Sequence, residues 1–188
     1  MIIDCHGHYT TTPPGVAAWR DAQKEAVATD PDHVSSKGVM SVSDDEIRES
    51  IETNQLRVQQ ERGTDVTVFS PRASWMGHHV GNASTSQAWT EHCNDLIRRV
   101  CDLFPTNFVP VCQLPQSPQT PIGTSITELR RCVEEMGFIG CNLNPDPSGG
   151  YWKDLPLGDR YWYPLYETMC DLDVPAMIHV SGACHPAM

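Results

Sequence analysis

The chain has 188 residues, of which 39% are hydrophobic, and 13 Lys+Arg against 24 Asp+Glu give a formal net charge of −11 at pH 7. This length suffices for one core of domain size. The excess of acidic residues argues against binding to nucleic acid or to an anionic membrane, because no basic stripe offsets it. No apolar run is long enough to cross a bilayer and no secretory signal is recognisable at the start, so we expect a cytoplasmic protein.

Five short apolar segments rich in β-forming residues are predicted strands. They are Ile2–Cys5, Asp65–Ser70, Phe108–Leu114, Phe138–Asn144 and Val174–Val180. Their continuous hydrophobicity is typical of parallel strands that are covered on both faces.

Helical patterns separate these strands, over residues 43–63, 89–100, 125–137 and 162–170. Two of them begin with the residues of a capping motif, Ser43 with Glu46 and Ser125 with Glu128. The eight cysteines are scattered without CxxC pairs, at positions 5, 93, 101, 112, 132, 141, 170 and 184. With no export signal, we expect reduced and mostly buried thiols.

Strands and helices alternate, which is the pattern of an α/β fold with a parallel sheet. No glycine-rich phosphate loop follows the first strand, which disfavours a dinucleotide-binding fold or a P-loop. Polar residues follow the strands at their C-terminal ends, where (β/α)8 TIM-barrel enzymes carry their catalytic groups. We predict such a barrel, of which this chain holds about the first five strand–helix units, since a whole barrel takes about 250 residues. Residues 1–188 would then be the N-terminal part of one barrel domain, with a loop-rich insertion at about 10–42.

Three histidines are candidate metal ligands. His6 and His8 are two apart on the first strand, so both side chains point to the same side. His179 ends the last apolar strand, where an unpaired imidazole would lose its hydration without compensation. Taken separately, the His6–His8 pair and His179 could also be structural histidines that hydrogen-bond to backbone groups. Together they offer three nitrogen ligands and an open position, as in a catalytic zinc site, although other divalent transition metals also bind imidazole.

Two further segments carry candidate substrate contacts. Arg72 follows the second strand and offers a planar fork for a carboxylate, although a surface arginine is the plainer interpretation. His79, in the same segment, is a second candidate, with solvation as its alternative. Asn142 and Asn144 end the fourth strand and could orient a carboxylate or an enol oxygen, or make local turn hydrogen bonds.

One family shares several segments of this sequence: MIIDCHGHYT, TVFSPRASWMGHH, LPQSP, NLNPDPSGG and PAMIHVS. In these segments, and over nearly all of its length, the chain resembles the 4-oxalomesaconate hydratases, in the metal-dependent hydratase and decarboxylase branch of the amidohydrolase superfamily. The resemblance implies a (β/α)8 barrel and one divalent ion, usually zinc. It also implies a hydro-lyase that adds water to the C=C bond of a small anionic tricarboxylate, 4-oxalomesaconate or its tautomer, in bacterial protocatechuate and lignin-derived aromatic catabolism.

The resemblance also assigns roles to residues. It makes His6, His8 and His179 metal ligands and makes Arg72, Asn142 and Asn144 substrate contacts. The family continues with strands that bear a further histidine and an acidic residue near the metal. The general acid and base are therefore expected in a C-terminal part that this chain lacks.

Two alternatives to the hydratase remain open. One is a metal-dependent decarboxylase of the same superfamily, because those relatives share the HxH strand, the distant histidine and conjugated carboxylate substrates. The other is an inactive barrel fragment, since about five of eight strands would leave two open sheet edges. For the hydratase as for these alternatives, we expect self-association into a homo-oligomer.

Overall fold

The computed structural model describes residues 1–72, 75–118 and 120–181. Six β-strands lie in these ranges: β1 (Ile3–His8), β2 (Val66–Ser70), β3 (Phe108–Pro110), β4 (Cys112–Gln113), β5 (Cys141–Leu143) and β6 (Ala176–Ile178). The same ranges contain six α-helices: α1 (Pro14–Thr29), α2 (Asp44–Ile51), α3 (Arg57–Glu61), α4 (Ala83–Leu103), α5 (Gly123–Arg130) and α6 (Tyr163–Asp171). A π-helical turn, Glu52–Leu56, joins α2 to α3; a second, Arg131–Glu135, extends α5; and a 3-10 turn, Arg160–Trp162, precedes α6.

All described strand pairs are parallel, in the orders β1-β2-β3 and β4-β5-β6. Only Val111 separates β3 from β4, and its backbone N–H donates to the Phe69 carbonyl at 2.9 Å. The segment predicted as one strand over Phe108–Leu114 is therefore two short strands, one pairing with β2 and the other with β5. Pro110 supplies the physical reason, because proline cannot donate a ladder hydrogen bond. The predicted α/β fold with a parallel sheet is confirmed.

The core lies between the strands and the helices that follow them. Helix α4 contacts β2, β3 and β4. It buries an apolar stripe of the kind that the sequence predicts, with Trp89, Leu96, Ile97 and Val100 nearly inaccessible to solvent. The helix therefore packs against one face of these strands, and the loops that follow the strands surround their C-terminal ends.

One of the two predicted capping motifs forms. Ser43 accepts a hydrogen bond from the Glu46 N–H, and the Glu46 carboxylate accepts from the Ser43 N–H, which makes a capping box at the start of α2. The prediction for Ser125 is wrong, since α5 begins at Gly123. Ser125 is buried and donates to the Pro115 carbonyl at 2.9 Å, so a tertiary contact uses the hydroxyl expected to cap the helix.

The segment 10–42 differs from the loop-rich insertion that we expected, because α1 occupies sixteen of its residues. Pro14 stands in the first turn of α1, where its missing N–H costs nothing. The Trp19 ring stacks on the Trp89 ring of α4, with centroids 5.7 Å apart and an interplanar angle of 14°. This packing stabilises a helix whose own apolar periodicity is weak.

The seven described cysteines are free thiols, as predicted: five are buried, Cys5 and Cys170 are exposed, and Cys184 lies outside the described residues. Burial raises the pKa of Cys101 and of Cys141 to about 12, which keeps both thiols protonated at neutral pH. Among the described helices, none combines the length and the apolar character that a membrane crossing requires.

Candidate metal centre

The side chains of His6, His8 and His179 converge. The Nε2 atom of His6 lies 2.9 Å from that of His8 and 2.8 Å from that of His179, and the His8–His179 separation is 2.9 Å. His6 and His8 stand at the end of β1, and His179 directly follows β6. These strands lie at opposite ends of the strand order, so their contact requires a strongly curved sheet.

Gly7, between His6 and His8, allows β1 to approach β2 closely. The register between β1 and β2 shifts between Asp4 and Gly7, and a Cβ atom at Gly7 would lie 2.2 Å from Cγ2 of Thr67. Only glycine fits so close to the neighbouring strand. The glycine of HGH therefore lets β1 lie against β2 while both imidazoles face the other way.

The environment of His8 fixes its tautomer. Its Nδ1 atom lies 2.9 Å from the Pro71 carbonyl oxygen and 2.8 Å from Oγ of Ser70. A carbonyl can only accept, so Nδ1 carries the hydrogen and Nε2 presents a lone pair to the other two rings. Metal-binding histidines typically donate their second N–H to a carbonyl or carboxylate in this way.

Burial favours the neutral, cation-binding form of His8 and His179. Burial lowers the pKa of His8, with the Pro71 hydrogen bond opposing it in part. Burial, followed by the proximity of His6, lowers the pKa of His179. Three imidazoles whose Nε2 atoms meet can direct these nitrogens at one shared cation. This donor set fits Zn²⁺ or a similar divalent transition ion.

Asn142 lies beside this cluster. It is 2% exposed, and its Nδ2 group has no hydrogen-bond partner among the described residues. Asn142 and His6 line the same cavity of about 400 Å³, which is otherwise largely apolar. A buried amide without a partner costs about 1–3 kcal/mol, so this donor is suited to an acceptor that enters the cavity.

Asn144, in contrast, is fully engaged. Its Nδ2 group donates to Ser181 Oγ at 2.8 Å and to the Met76 carbonyl at 3.3 Å, and its Oδ1 accepts from the Asp146 N–H at 3.0 Å. Both amide hydrogens are used within the protein. The two asparagines that the sequence treats alike therefore have different chemical capacities.

The remaining candidates, Arg72 and His79, make no hydrogen bond to the three histidines among the described residues. Arg72 is exposed and makes no ion pair with another described residue; its carbonyl accepts from the Trp75 N–H at 2.9 Å. His79 is exposed and lines a different cavity of about 690 Å³. Its ring lies against Gly149, where an added Cβ would come within 2.4 Å of the imidazole. His79 and His6 do not share a cavity in the described residues.

Sequence reasoning missed several residues at this end of the sheet, among them Ser70, Gln116 and Ser181. All three are buried hydroxyl or amide side chains: Ser70 ends β2, and Gln116 and Ser181 each lie three residues after a strand, a position similar to that of Asn142 and Asn144. His78 is also buried, with Nδ1 2.9 Å from Ser86 Oγ, and burial lowers its pKa to about 3.

A comparison with known proteins assigns the family. The amidohydrolase family model matches residues 3–188. The chain belongs to the amidohydrolase family. Its parallel strands, and the position of the three histidines at strand ends, are consistent with that membership.

Individual relatives are more specific. The chain is 60% identical over 189 residues to a 2-keto-4-carboxy-3-hexenedioate hydratase of Sphingobium sp. strain SYK-6, covering 100% of this chain and 54% of the relative. The crystal structure of 4-oxalomesaconate hydratase from Rhodopseudomonas palustris matches with a TM-score of 0.86 and 51% identity, over 96% of this chain and 53% of that one. These matches confirm the predicted resemblance to 4-oxalomesaconate hydratases.

A more distant structure shares the fold. A dihydroxybenzoic acid decarboxylase from Polaromonas sp., solved with bound manganese, matches with a TM-score of 0.64 and 21% identity, over 95% of this chain and 49% of that one. A divalent metal ion is thus present in a relative of this fold. The chain spans about half the length of the curated relatives it matches.

Proposed function

We propose that this chain carries the metal-binding part of a zinc-dependent hydratase that adds water to the C=C bond of 4-oxalomesaconate or its tautomer. The reaction would belong to bacterial catabolism of protocatechuate and lignin-derived aromatics. The convergence of three Nε2 atoms within 2.8–2.9 Å carries this proposal. The 60% identity to a relative named as a hydratase supports it.

We also propose that the curved sheet is part of a (β/α)8 barrel. Strands β1 and β6 are the outermost in the described strand orders, yet His6 and His179 meet across the opening between them. A barrel accounts for this arrangement because closing a sheet on itself brings the C-terminal ends of all its strands around one point.

Each residue then has a role. His6, His8 and His179 would hold the ion, which when bound supplies Lewis-acid chemistry that polarises an oxygen and lowers the pKa of water. Asn142 would donate its unpaired amide hydrogens to an oxygen of the substrate. Arg72, which is exposed and without an ion pair to another described residue, would bind a carboxylate through its two-pronged guanidinium. Local cations of this kind offset the repulsion between an anionic substrate and a chain of net charge −11.

An assay of the zinc-loaded protein tests the proposal, with the chain extended at its C-terminus to the length of the curated relatives, since it spans about half of them. Incubation of this extended protein with 4-oxalomesaconate should remove the alkene absorbance without release of carbon dioxide, and His6→Ala should abolish the change. Release of carbon dioxide would favour the decarboxylase instead. An extended protein that binds zinc stoichiometrically but leaves the alkene unchanged would refute the hydratase, whereas turnover by the extended protein but not by the 188-residue chain would mark the latter as an inactive fragment.

A further inference from the structure

His179 follows a strand that is held from one side only. Among the described residues β6 pairs with β5 alone, and the last ladder hydrogen bond runs from the His179 N–H to the Leu143 carbonyl at 2.7 Å. Ile178 and Val180 on either side are more than half exposed, at 58% and 57%. The position of the His179 ring therefore depends on whatever fixes the chain just beyond this last bond.

The side chain of Asn144 contacts the chain at this point. Its Nδ2 group donates to Ser181 Oγ at 2.8 Å. This side-chain hydrogen bond joins the segments after β5 and β6, beyond the last backbone hydrogen bond between the two strands. The same Nδ2 group donates to the Met76 carbonyl at 3.3 Å, and Ser181 Oγ donates to that carbonyl at 3.3 Å. One amide thus joins the segment after β6 to the loop after β2.

Asn144 is itself held rigidly. Its backbone N–H donates to Gln116 Oε1 at 2.9 Å, and Gln116 Nε2 donates to its carbonyl at 3.1 Å. Gln116, Asn144, Met76 and Ser181 are all buried. Ends of four segments, those after β2, β4, β5 and β6, therefore meet in one hydrogen-bonded group shielded from water, where such bonds are strongest.

The loop after β2 is also tied to the histidine cluster. The Pro71 carbonyl contacts His8 Nδ1 at 2.9 Å, and the Trp75 carbonyl accepts from Trp89 Nε1 at 2.7 Å. Met76 follows directly. The hydrogen bonds of Asn144 therefore connect the strand end that carries His179 to the same loop that orients His8.

We propose that Asn144 is a positioning residue that, by joining Ser181 to the Met76 carbonyl, holds His179 Nε2 opposite those of His6 and His8. This inference rests on the proposed metal-binding function. It replaces the direct substrate contact that the sequence suggests for Asn144, because both amide hydrogens are already used. Asn142 keeps the substrate-facing role.

Cobalt(II) provides the test, since it occupies sites of this type and its visible absorption reports the ligands directly. We would titrate Co²⁺ into the wild-type chain and into Asn144→Ala, Ser181→Ala and Ser181→Thr. The expected result is affinity about tenfold or more weaker for the two alanine variants, the loss typical when a residue that orients metal ligands is removed. Ser181→Thr retains the hydroxyl and should restore wild-type affinity.

Asn107→Ala is the matched control. Asn107 lies just before β3, at the N-terminal end of that strand and away from the strand ends that carry the histidines, and its Nδ2 donates to Gln59 Oε1 at 3.2 Å. This variant removes a comparable structural hydrogen bond and should lower thermal stability while leaving Co²⁺ affinity unchanged.

The proposal is overturned if Asn144→Ala binds Co²⁺ as tightly as the wild type, or if Asn107→Ala weakens binding equally. Should Asn144→Ala not fold, equal affinities of Ser181→Ala and Ser181→Thr would overturn it, as would a wild-type chain that binds no Co²⁺. Binding of Co²⁺ by the wild-type chain, together with a protein extended to the length of the relatives that does not hydrate 4-oxalomesaconate, would contradict the proposed reaction and leave the positioning role intact.

Discussion

Asn142 and Asn144 lie two residues apart at the end of β5, and their amide groups have opposite surroundings. The Asn142 Nδ2 has no partner in the described part of the chain, whereas both hydrogens of the Asn144 Nδ2 are donated to protein atoms. A buried donor without a partner is costly to the folded chain. It is compensated when a bound oxygen atom accepts from it.

Asn142→Ala should therefore weaken substrate binding. A hydrogen bond to a charged group contributes about 1.5–3 kcal/mol, so we expect the Kd for 4-oxalomesaconate to rise by about 10- to 150-fold in a calorimetric titration of the zinc-loaded chain. Removing the unpaired amide should not lower the melting temperature by more than a few degrees. An unchanged Kd would exclude Asn142 from the binding site.

At the scale of single residues, the sequence predicts the candidate metal ligands better than it predicts the residues that position them. The three histidines can be identified as candidate ligands from local pattern alone. His6 and His8 are two residues apart on a strand, and His179 is a polar residue at the end of an apolar strand. The partners of Asn144 are 68 and 37 residues away, at Met76 and Ser181. No local pattern encodes such contacts, so its role could not be separated from that of Asn142.

Strand β1 illustrates how an element positions the site. Gly7 lets β1 approach β2 so closely that a Cβ atom would lie 2.2 Å from Thr67 Cγ2. Overpacking of this kind costs about 1–3 kcal/mol. It would also displace the two histidines that flank the glycine.

Gly7→Ala should accordingly lower the free energy of unfolding in urea by about 1–3 kcal/mol. Thr67→Ser removes the clashing methyl group, so the double variant should recover part of the loss. Gly123→Ala, in α5, is the matched control because no atom lies within 4 Å of its added Cβ. Equal stabilities of Gly7→Ala and Gly123→Ala would contradict this account of β1.

The loop after β5 is organised by the Asp146 carboxylate. It accepts from the backbone N–H groups of Ser148 at 3.0 Å, Gly150 at 2.7 Å and Trp152 at 3.1 Å, and from the Ser148 hydroxyl. Burial alone would raise the pKa of Asp146, but these hydrogen bonds outweigh it and lower the pKa. The ionised form is therefore the one that fits the loop.

This shift gives a pH dependence with a definite sign. Because the folded-state pKa lies below the unfolded value of about 3.9, the stabilisation is fully present above pH about 4 and is lost as the pH falls through the folded pKa. Asp146→Asn should remove this part of the acid destabilisation when unfolding free energies are compared between pH 2 and pH 6, with exposed Asp21→Asn as the surface control. Parallel pH curves for the wild type and Asp146→Asn would contradict the assignment.

Elements are predictable where local rules act without competition. The capping box of Ser43 and Glu46 forms because both side chains are exposed and free to bond their own backbone. Ser125 and Glu128 have the same spacing, but both are buried. The Glu128 carboxylate accepts from Asn94 Nδ2 at 2.6 Å and pairs with Arg131 at 2.7 Å. Tertiary partners therefore override the local cap.

The whole molecule combines an acidic surface with a curved parallel sheet. The alternation of strands and helices predicts the parallel sheet, because each crossover must return the chain to the same edge. The curvature that brings β1 and β6 together has no counterpart in composition or periodicity. It is visible in the contacts that His6 and His8 of β1 make with His179 after β6.

If these strands are held together by an ion, that ion should stabilise the fold. At a free concentration 100 times its Kd, a ligand that binds only the folded state adds about 2.7 kcal/mol. For a chain of this size we expect a rise in melting temperature of about 5–10 °C on adding zinc. The rise should shrink as the pH falls and the histidines become protonated. A melting temperature that does not respond to zinc at neutral pH would contradict this linkage.

The most direct test of the three-histidine centre is a calorimetric Zn²⁺ titration of the wild type, His6→Ala, His8→Ala, His179→Ala and His79→Ala. The account predicts one ion per wild-type chain, loss of that binding in each of the first three variants, and its retention in His79→Ala, whose side chain lies in a different cavity. Undiminished zinc binding by His179→Ala would contradict a site shared between the two ends of the sheet.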